Sequence, residues 1–398
     1  MTRLLLLSLS LVLFFTSCVR KAPTMIDFKI FEYNQIKKIE RISFDNSDYI
    51  DSCKFVLLET SDQSLIGEIS QLKIFEGNYY IYDKLTKKVK VFNKAGKFLH
   101  DIGSFGNGKG EYTAISTFFV NQKDLKVCLF DPLKKSVHEY TLEGKYLQSI
   151  EHNFSEYSFF QNIIYGNNEL FCYSNINWNT DNAYTVISSN DYSLKEGFCP
   201  YPVRPNQQLG FIAMDNPFGS FDGKLHYVSL FSDTIYTHIN GKETPYILVE
   251  TGKPNIPPTY LKSQNLENDP VRACFQIWKD DNYSSGFTEL GETERFVLVG
   301  SKLGEYDGYG GSNRVFYLLD KEKNEGLYVK NANTPNLGLP TLVDGNRLIK
   351  VWQPNEIDIY KSQIKNGAIK CPNQIISLLE EYDPDFHNPV IVVYYMKE

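Results

Sequence analysis

The chain lacks most of the sequence patterns that identify common enzymes and metal-binding proteins. Its 398 residues include seven cysteines but no C-x-x-C pair, and six histidines but no H-E-x-x-H motif. These absences argue against zinc sites of the usual spacing. No G-x-S-x-G elbow occurs, so the nucleophile of an α/β-hydrolase is missing. The formal net charge is −7 without any basic block, which argues against a nucleic-acid partner.

Long amphipathic helices are scarce, whereas aromatic residues are abundant. The chain has 27 Tyr and 27 Phe, and aromatic residues make up 14% of it. Such side chains fit the pleated surface of a sheet and therefore favour strands. Only the segment 372–382, PNQIISLLEEY, has a convincing helical pattern. The composition predicts an all-β protein with little helix.

The N-terminal segment predicts export. MTRLLLLSLSLVLFFTSC has one positive charge and then an apolar run over 4–15, too short to span a bilayer comfortably but typical of a signal peptide. Its ending, FTSC, resembles a bacterial lipoprotein signal, and the resemblance implies cleavage after residue 17 and lipid attachment at Cys18. The alternative is a plain secretory signal with an incidental cysteine. Residues 18–45 are predicted to form a tether.

A 48-residue repeat dominates the first half of the chain. Residues 79–102 and 127–150 match, with Asp83 at the position of Asp131 and Gly96 at that of Gly144. Each unit contains four strand-like runs separated by polar or Gly-containing turns. Four strands per repeat of this length is the signature of a β-propeller, in which stacked blades cover each other's faces.

The later blades are less regular, and the propeller is predicted to cover 46–398. The repeat length alone leaves six or seven blades open. Two runs, PTLVDGNRLIKVW and NEIDIYK, are predicted as strands of the last blade. CKFVLLET near the start and NPVIVVYYMK near the end also read as strands, so we expect them to pair in one blade and close the ring.

Several segments resemble the six-bladed β-propeller lipoproteins of Bacteroidetes. They are FVLLETSDQSLIGEI, YYIYDKLTKKVKVFNKAGKFLHDIG, GNGKGEY, SDTIY and the terminal NPVIVVYYMK. That family's loop usually reads Gly-Pro-Gly-Glu, and Lys109 replaces the proline here. NHL-repeat propellers are more distantly similar. The resemblance implies six four-stranded antiparallel blades but little chemistry.

Two motifs that imitate functional sites are interpreted as structural. GSFGNGKGEY has the spacing of a phosphate-binding loop, but Gly110 stands where Ser or Thr should hold magnesium, and a strand follows instead of a helix. Asp83 and Asp131 each end a strand and open a polar turn, a position at which Asp bonds downstream amides. We therefore interpret the two aspartates as residues of a repeated turn and not as a catalytic pair.

Cofactors are not expected. Acidic clusters at 280–281 and 380–387 could hold calcium, but neither has EF-hand spacing, and solvated loops are preferred. The hairpin-like DKEKNEG at 320–326 also misses that spacing. Cys128 and Cys172 lie in apolar runs and are predicted to be buried thiols.

Four aromatic residues are candidate ligand contacts. Trp178, Trp278, Tyr306 and Tyr309 lie among polar, Gly or Asn residues and could stack on sugar rings. Ordinary packing between blades is the alternative. The EYDGYGGSN loop, which carries Tyr306 and Tyr309, is predicted to face the ligand.

Two functions are consistent with these observations. The first is a lipid-anchored binding or interaction module whose partner is a glycan, a peptide or an envelope protein. The tether lacks acidic residues after Cys18, which favours the periplasmic side of the outer membrane. The second is a carbohydrate-active hydrolase or lyase with its site at the propeller axis, although no catalytic residue can be named. Four or more ionisable groups projecting from the innermost strands would favour the enzyme; a purely structural role is the third alternative.

Overall fold

The fold is a closed ring of six β-sheets, seen in a computed structural model. The structure describes residues 28–42, 48–152, 160–166, 168–174, 181–201, 214, 216–239, 241–306, 312–330, 337, 339–367 and 373–398. Within these residues the six large sheets have four or five strands each. The prediction of an all-β, six-bladed propeller is confirmed.

The four strands of each blade alternate in direction. Their bounds are β1 (Lys29–Phe31), β2 (Ile36–Ile39), β3 (Ile50–Leu57), β4 (Ile69–Phe75), β5 (Asn78–Asp83), β6 (Lys88–Phe92), β7 (Phe98–Ile102), β8 (Ser104–Phe105), β9 (Glu111–Tyr112), β10 (Thr117–Asn121), β11 (Lys126–Asp131), β12 (Ser136–Thr141), β13 (Tyr146–Glu151), β14 (Phe160–Gly166), β15 (Glu169–Ser174), β16 (Asn182–Ser188), β17 (Leu194–Pro200), β18 (Phe218–Phe221), β19 (Lys224–Val228), β20 (Thr234–Ile239), β21 (Lys242–Val249), β22 (Glu289–Glu292), β23 (Phe296–Tyr306), β24 (Ser312–Asp320), β25 (Glu325–Val329), β26 (Leu342–Asp344), β27 (Arg347–Trp352) and β28 (Val390–Met396). Blade 1 is β4–β7, blade 2 is β10–β13, blade 3 is β14–β17, blade 4 is β18–β21, blade 5 is β22–β25, and blade 6 is β26, β27, β28 and β3.

The first strand of each blade lies innermost. Each of these six strands contacts the first strands of both neighbouring blades, so together they enclose the axis. Apolar clusters fill the spaces between blades; one joins Ile81 of blade 1 to Val56 and Val393 of blade 6. Stacking of sheets therefore buries faces that a single sheet would expose.

Early and late strands close the ring, as the sequence predicts. β28 pairs antiparallel with β27 on one side and with β3 on the other, so Val392 lies opposite both Lys350 and Phe55. The predicted partners CKFVLLET and NPVIVVYYMK thus occupy adjacent positions in blade 6.

Two short strands from the predicted tether also join the ring. β1 pairs in parallel with β21, and β2 pairs in parallel with β25. They add a fifth, outermost strand to blades 4 and 5. The segment predicted as a tether over 18–45 therefore contains residues that belong to the propeller.

Four α-helices lie in the described part of the chain, three more than the sequence indicated. They are α1 (Pro258–Ser263), α2 (Pro270–Lys279), α3 (Pro354–Lys365) and α4 (Asn373–Glu381), and a 3-10 turn covers Tyr33–Gln35. α4 confirms the helix predicted over 372–382. The prediction of a strand at NEIDIYK is wrong, because these residues lie in α3. Pro354 opens that helix, Gln353 and Glu356 form a capping box, and Ile357 and Tyr360 bury one face at helical spacing.

All four helices lie on one side of the ring. Because strands alternate in direction, the connections between blades and those between second and third strands meet at the end where the innermost strands begin. α1 and α2 belong to the connection from blade 4 to blade 5, and α3 and α4 to the connection between β27 and β28. We call this side the helical face and the opposite side the hairpin face.

Candidate functional site

Polar side chains surround the axis at the helical face. A cavity of about 600 Å³ lies where the innermost strands begin; we call it the axial cavity. Its polar lining consists of Ser70, Gln71, Lys73, Gln161, Asn162, Asn216, Glu289, Arg314, Thr341, Lys350, Gln353 and Glu356. These residues come from blades 1, 3, 4, 5 and 6 and from the start of α3, so only the closed ring brings them together.

Strand alternation explains how blade 1 contributes two of them. Leu72 is buried in the apolar cluster between blades 1 and 6, so its neighbours Gln71 and Lys73 project to the other face of β4. In blade 3, a register shift between Phe160 and Asn162 interrupts β14 near its start. Bulges of this kind redirect side chains.

A chain of hydrogen bonds forms the floor of the axial cavity. Lys73 Nζ donates to Asn162 Oδ1 at 2.6 Å and to the carbonyl of Ile163 at 3.0 Å. Asn162 Nδ2 donates in turn to Asn216 Oδ1 at 3.2 Å. Below this floor lies a second cavity of about 350 Å³, which we call the hairpin-face cavity.

Gln71 has a structural part in the lining. Its Nε2 donates to the carbonyls of Ser116 (2.9 Å) and Gln161 (3.1 Å). Its Oε1 accepts from Thr117 Oγ1 at 3.0 Å and from the amide of Phe118 at 3.3 Å. The side chain thereby fastens the innermost strands of blades 1, 2 and 3 together.

Charged groups concentrate on the side of blades 5 and 6. Arg314 Nη1 lies 3.2 Å from Glu289 Oε1, and Glu356 Oε2 accepts from the backbone amide of Gln353 at 2.9 Å. Burial is the main influence on Lys350 and lowers its pKa to about 8; Glu356 and Glu289 oppose that change. Lys350 therefore lies where a positive charge is costly but two carboxylates partly compensate it.

Lys73 has no such compensation from its hydrogen-bond partners. Both accepting oxygens, on Asn162 and Ile163, belong to neutral groups. Burial lowers the pKa of Lys73 to about 8. The lysine borders the axial cavity and is half-buried, so it loses part of the water that normally stabilises an ammonium.

A buried His–Glu cluster lies beside the hairpin-face cavity. His226 Nδ1 is 2.5 Å from Glu292 Oε2, and Glu292 Oε1 accepts from Tyr246 Oη and from Lys321 Nζ, each at 2.7 Å. Burial opposes ionisation of Glu292, but the bonds from His226 and Lys321 outweigh it and hold its pKa below the usual value. Such a carboxylate can fix the orientation of the imidazole.

Four acidic or basic residues of innermost strands line the two cavities. Lys73 and Glu289 border the axial cavity, and Glu292 and Asp344 border the hairpin-face cavity. Four such groups on the innermost strands meet the criterion given above as favouring an enzyme.

Of the four aromatic residues predicted to contact ligand, Tyr306 and Trp278 lie in the described part of the chain. Trp178 and Tyr309 lie outside the described residues, and Tyr306 ends β23. Trp278 lies in α2 and is 7% exposed. Its ring packs near Phe275, with centroids 5.5 Å apart, away from the axial cavity lining. The Trp278 ring thus takes part in packing, and a ligand role for all four residues stays a prediction.

The two motifs interpreted as structural lie in connections and turns. Residues 103–112 join blade 1 to blade 2 through the short parallel pair β8 and β9, so the phosphate-loop spacing has no helix after it. Asp83 and Asp131 are buried and accept backbone hydrogen bonds. Cys128 and Cys172 are buried free thiols, as predicted.

Among the residues that the structure describes, no group of three or more His, Cys, Asp or Glu is placed to hold a metal ion. In one acidic cluster, Asp280 accepts hydrogen bonds from Tyr260 Oη at 2.6 Å and from the amide of Asn282 at 2.9 Å. Calcium binding at either cluster stays a prediction. None of the described helices combines the length and apolar character needed to cross a membrane.

A family-level comparison assigns this propeller. The domain of unknown function DUF4934 matches residues 30–395, which is almost the entire ring with β1 and β2. The chain belongs to the DUF4934 family. No curated protein matches it.

Two solved structures share the fold of this DUF4934 propeller. A Bacteroides fragilis protein described as a "Putative exported protein" is 17% identical, with a TM-score of 0.72 over 93% of this chain and 100% of the other. A DUF4221 family member from Bacteroides vulgatus is 10% identical, with a TM-score of 0.55 over 87% of this chain and 97% of the other. At these identities the likeness concerns the fold alone.

The axial residues of the DUF4934 propeller are not among the site residues predicted from the sequence, although the sequence contains a signal for them. Polar residues interrupt the first strand of a blade at its start, as in ISQLKIF of blade 1 and FQNIIYG of blade 3. Second strands such as KVCLFD of blade 2 are apolar at their second and third positions. Once a propeller is inferred, polar residues early in an innermost strand predict the axial lining.

Proposed function

We propose that this DUF4934 protein is a lipid-anchored binding module of the cell envelope that holds a glycan in its axial cavity. The observation that carries the proposal is the ring of amide and charged side chains around a cavity of about 600 Å³. Small-molecule sites commonly occupy cavities of about 300–1,000 Å³ with a few convergent polar groups. Amides such as those of Gln161, Asn216 and Gln353 both donate and accept hydrogen bonds, as sugar hydroxyls require.

The location rests on the N-terminal sequence. The apolar run and FTSC support export and lipid attachment at Cys18, and a stable anchor needs more than one acyl chain. The absence of acidic residues directly after Cys18 supports the periplasmic side of the outer membrane. A glycan ligand fits that compartment, and an envelope protein or a peptide is the alternative partner.

Thermal unfolding with a panel of oligosaccharides tests the binding role. The soluble form that starts after Cys18 should gain about 2.7 kcal/mol of stability from a ligand at 100 times its dissociation constant. Asn216→Ala, which removes an amide from the cavity floor, should abolish the gain. Asn190→Ala, in an exposed turn, should preserve it. If no oligosaccharide stabilises the protein, the glycan proposal fails and a protein partner replaces it.

An enzyme acting on that glycan is the second candidate. It is supported by the four acidic or basic residues on innermost strands and by His226, whose Nδ1 is held by Glu292. A His in this setting can exchange a proton through its other nitrogen. Product analysis on every bound oligosaccharide tests the candidate. Products that disappear in His226→Gln while binding persists would support it, and binding without products would contradict it.

A further inference from the structure

The charges lining the axial cavity are not balanced. Three cations, Lys73, Arg314 and Lys350, accompany two carboxylates, Glu289 and Glu356. Glu289 pairs with Arg314 at 3.2 Å, and Glu356 accepts from the amide of Gln353 at 2.9 Å, so the lining has one cation in excess. A ligand entering this space meets an excess of positive charge.

The two lysines differ in their surroundings but share one consequence of burial. Lys73 bonds only neutral oxygens on Asn162 and Ile163. Lys350 is influenced by Glu356, Glu289 and Arg314. Burial lowers the pKa of each to about 8. A negative group close to either amine would favour its charged form and raise that pKa again.

The amides beside these cations supply the neutral part of a recognition site. Gln161, Asn216 and Gln353 border the same cavity. A ligand that satisfies both sets of groups needs hydroxyls for the amides and an anion for the cations.

We infer that the ligand of the axial cavity is an acidic oligosaccharide, bearing a carboxylate or a sulfate, whose anion binds beside Lys73 and Lys350. This inference rests on the proposed glycan-binding function and narrows it to one ligand class. The anion offsets the excess positive charge, while the amides hold the sugar hydroxyls.

Proton uptake gives the inference a distinctive pH dependence. Near pH 8 about half of each lysine is deprotonated, so binding an anion draws protons from the buffer. At pH 6.5 both amines already carry their protons and no uptake occurs. Affinity for an acidic sugar therefore falls as the pH rises above 8, because protonation must accompany binding. A neutral sugar lacks this dependence.

Isothermal calorimetry on the soluble form tests both the preference for an acidic ligand and the proton uptake. The probes are oligosaccharides of polygalacturonate, alginate and chondroitin sulfate, each with its carboxyl-reduced or desulfated counterpart, together with neutral oligosaccharides. We expect at least one acidic probe to bind ten times more tightly than its neutralised counterpart. Its apparent enthalpy should differ between HEPES and Tris at pH 8, and agree between suitable buffers at pH 6.5. The uronate and sulfate arms identify which anion is recognised.

Two substitutions separate charge from proton uptake. Lys350→Met removes the amine and should cost about tenfold in affinity for the acidic probe. Lys350→Arg keeps a charge that does not titrate, so it should retain the preference for acidic probes and lower the proton uptake. Lys84→Met, at an amine with 64% of its side chain exposed, is the matched control and should change neither quantity.

The outcomes distinguish this inference from the function on which it rests. Neutral and acidic probes binding equally well would overturn the inference and leave glycan binding intact. Binding of acidic probes without any buffer-dependent enthalpy at pH 8 would overturn the proton uptake. If no sugar of either kind binds, both the inference and the glycan proposal fail.

Discussion

Asp83 and Asp131 make equivalent hydrogen bonds at the start of blades 1 and 2. Asp83 Oδ1 accepts from the amide of Leu85, two residues on, at 3.1 Å, and Asp131 Oδ1 accepts from that of Leu133 at 3.0 Å. Each carboxylate also accepts amide hydrogen bonds from the connection that leads into its blade, at 67–68 and at 113–114. The repeated aspartate therefore joins the turn between the second and third strands to the start of the innermost strand.

Replacing Asp131 by Asn should lower the free energy of unfolding by about 1–3 kcal/mol at pH 7, because an amide cannot accept at both oxygens' positions and leaves buried donors unsatisfied. Asp62→Asn, at an exposed loop position, should change it little. Urea denaturation of both variants measures the difference. Equal stability of the two would show that the Asp131 bonds contribute nothing.

The difference in the free energy of unfolding between the wild type and Asp131→Asn should depend on pH. Burial opposes ionisation of Asp131, but His138, with Nε2 3.7 Å from Oδ2, and hydrogen bonds from the amides of Lys134 and Thr113 outweigh it and hold its pKa well below the usual range. Because the folded-state pKa is depressed, the stabilisation is complete above the unfolded pKa of about 3.9 and is lost as the pH falls below it. The gap between wild type and Asp131→Asn should therefore shrink between pH 5 and pH 3 in the denaturation series. A gap that widens on acidification would contradict this assignment.

The repeated glycines allow neighbouring blades to approach each other closely, and Gly144→Ala tests this role. Gly144 has φ +85, and an added Cβ would lie 2.5 Å from the carbonyl oxygen of Asp101 in blade 1. Gly223 has φ +68 but nothing within 4 Å of such a Cβ, so Gly223→Ala carries only the backbone penalty of about 1–2 kcal/mol. We expect Gly144→Ala to lose more stability than this control. Equal losses of stability in the two variants would show that the close contact with Asp101 is not the reason for glycine at position 144.

Lys73 and Lys350 should make stability rise with pH just above neutrality. Their pKa of about 8 in the folded protein lies below the unfolded value of about 10.4, so the unfolded state binds more protons in between. The free energy of unfolding should therefore increase from pH 7.5 to pH 9.5. Lys73→Met and Lys350→Met should each flatten the increase, whereas Lys84→Met should not. A wild-type stability that is constant over this range would contradict the assignment.

Trp278 and Trp178 should respond differently to truncation. Trp278 is 7% exposed, so Trp278→Ala should lower the free energy of unfolding by about 3–5 kcal/mol. Trp178→Ala and Tyr309→Ala are predicted to weaken ligand binding without unfolding the protein. Thermal unfolding with and without a bound oligosaccharide separates the two effects. Global unfolding of the Trp178 or Tyr309 variants would instead favour packing.

Cys18→Ala should leave the protein without lipid. Metabolic labelling with a fatty-acid analogue should label the wild type and not the variant, and fractionation should move the variant from membranes to the soluble fraction. A variant that is still acylated and membrane-bound would rule out Cys18 as the attachment site.

The sequence predicted the repeats well because local patterns specify them. Each blade's alternating strands and Gly turns lie within about fifty residues, the usual size of such a unit. The error at 355–361 has a local cause as well. EIDIY alternates like a strand over five residues, but it also fits a helix whose start is signalled by Pro354 and the Gln353–Glu356 capping box. A run this short fits both periods.

The site could not be read from the sequence for a different reason. Lys73, Asn162, Asn216 and Lys350 belong to blades 1, 3, 4 and 6, and no local pattern relates them. Their proximity exists only because the ring closes. Likewise, β1 and β2 have three and four residues, and their partners lie in blades 4 and 5, far along the chain. Short parallel additions of this kind carry almost no signal of their own.

The placement of β28 between β27 and β3 also sets an order of events during synthesis. β3 leaves the ribosome before blade 1, whereas β28 follows every other described strand in the chain. Blades 1–5 have all their antiparallel strands in sequence and can form as they emerge, but β3 must wait for β28. Contacts between such distant segments form slowly, and an unpaired strand edge is open to association with other chains while it waits. A newly made chain therefore depends on whatever covers β3 until its partner strand arrives.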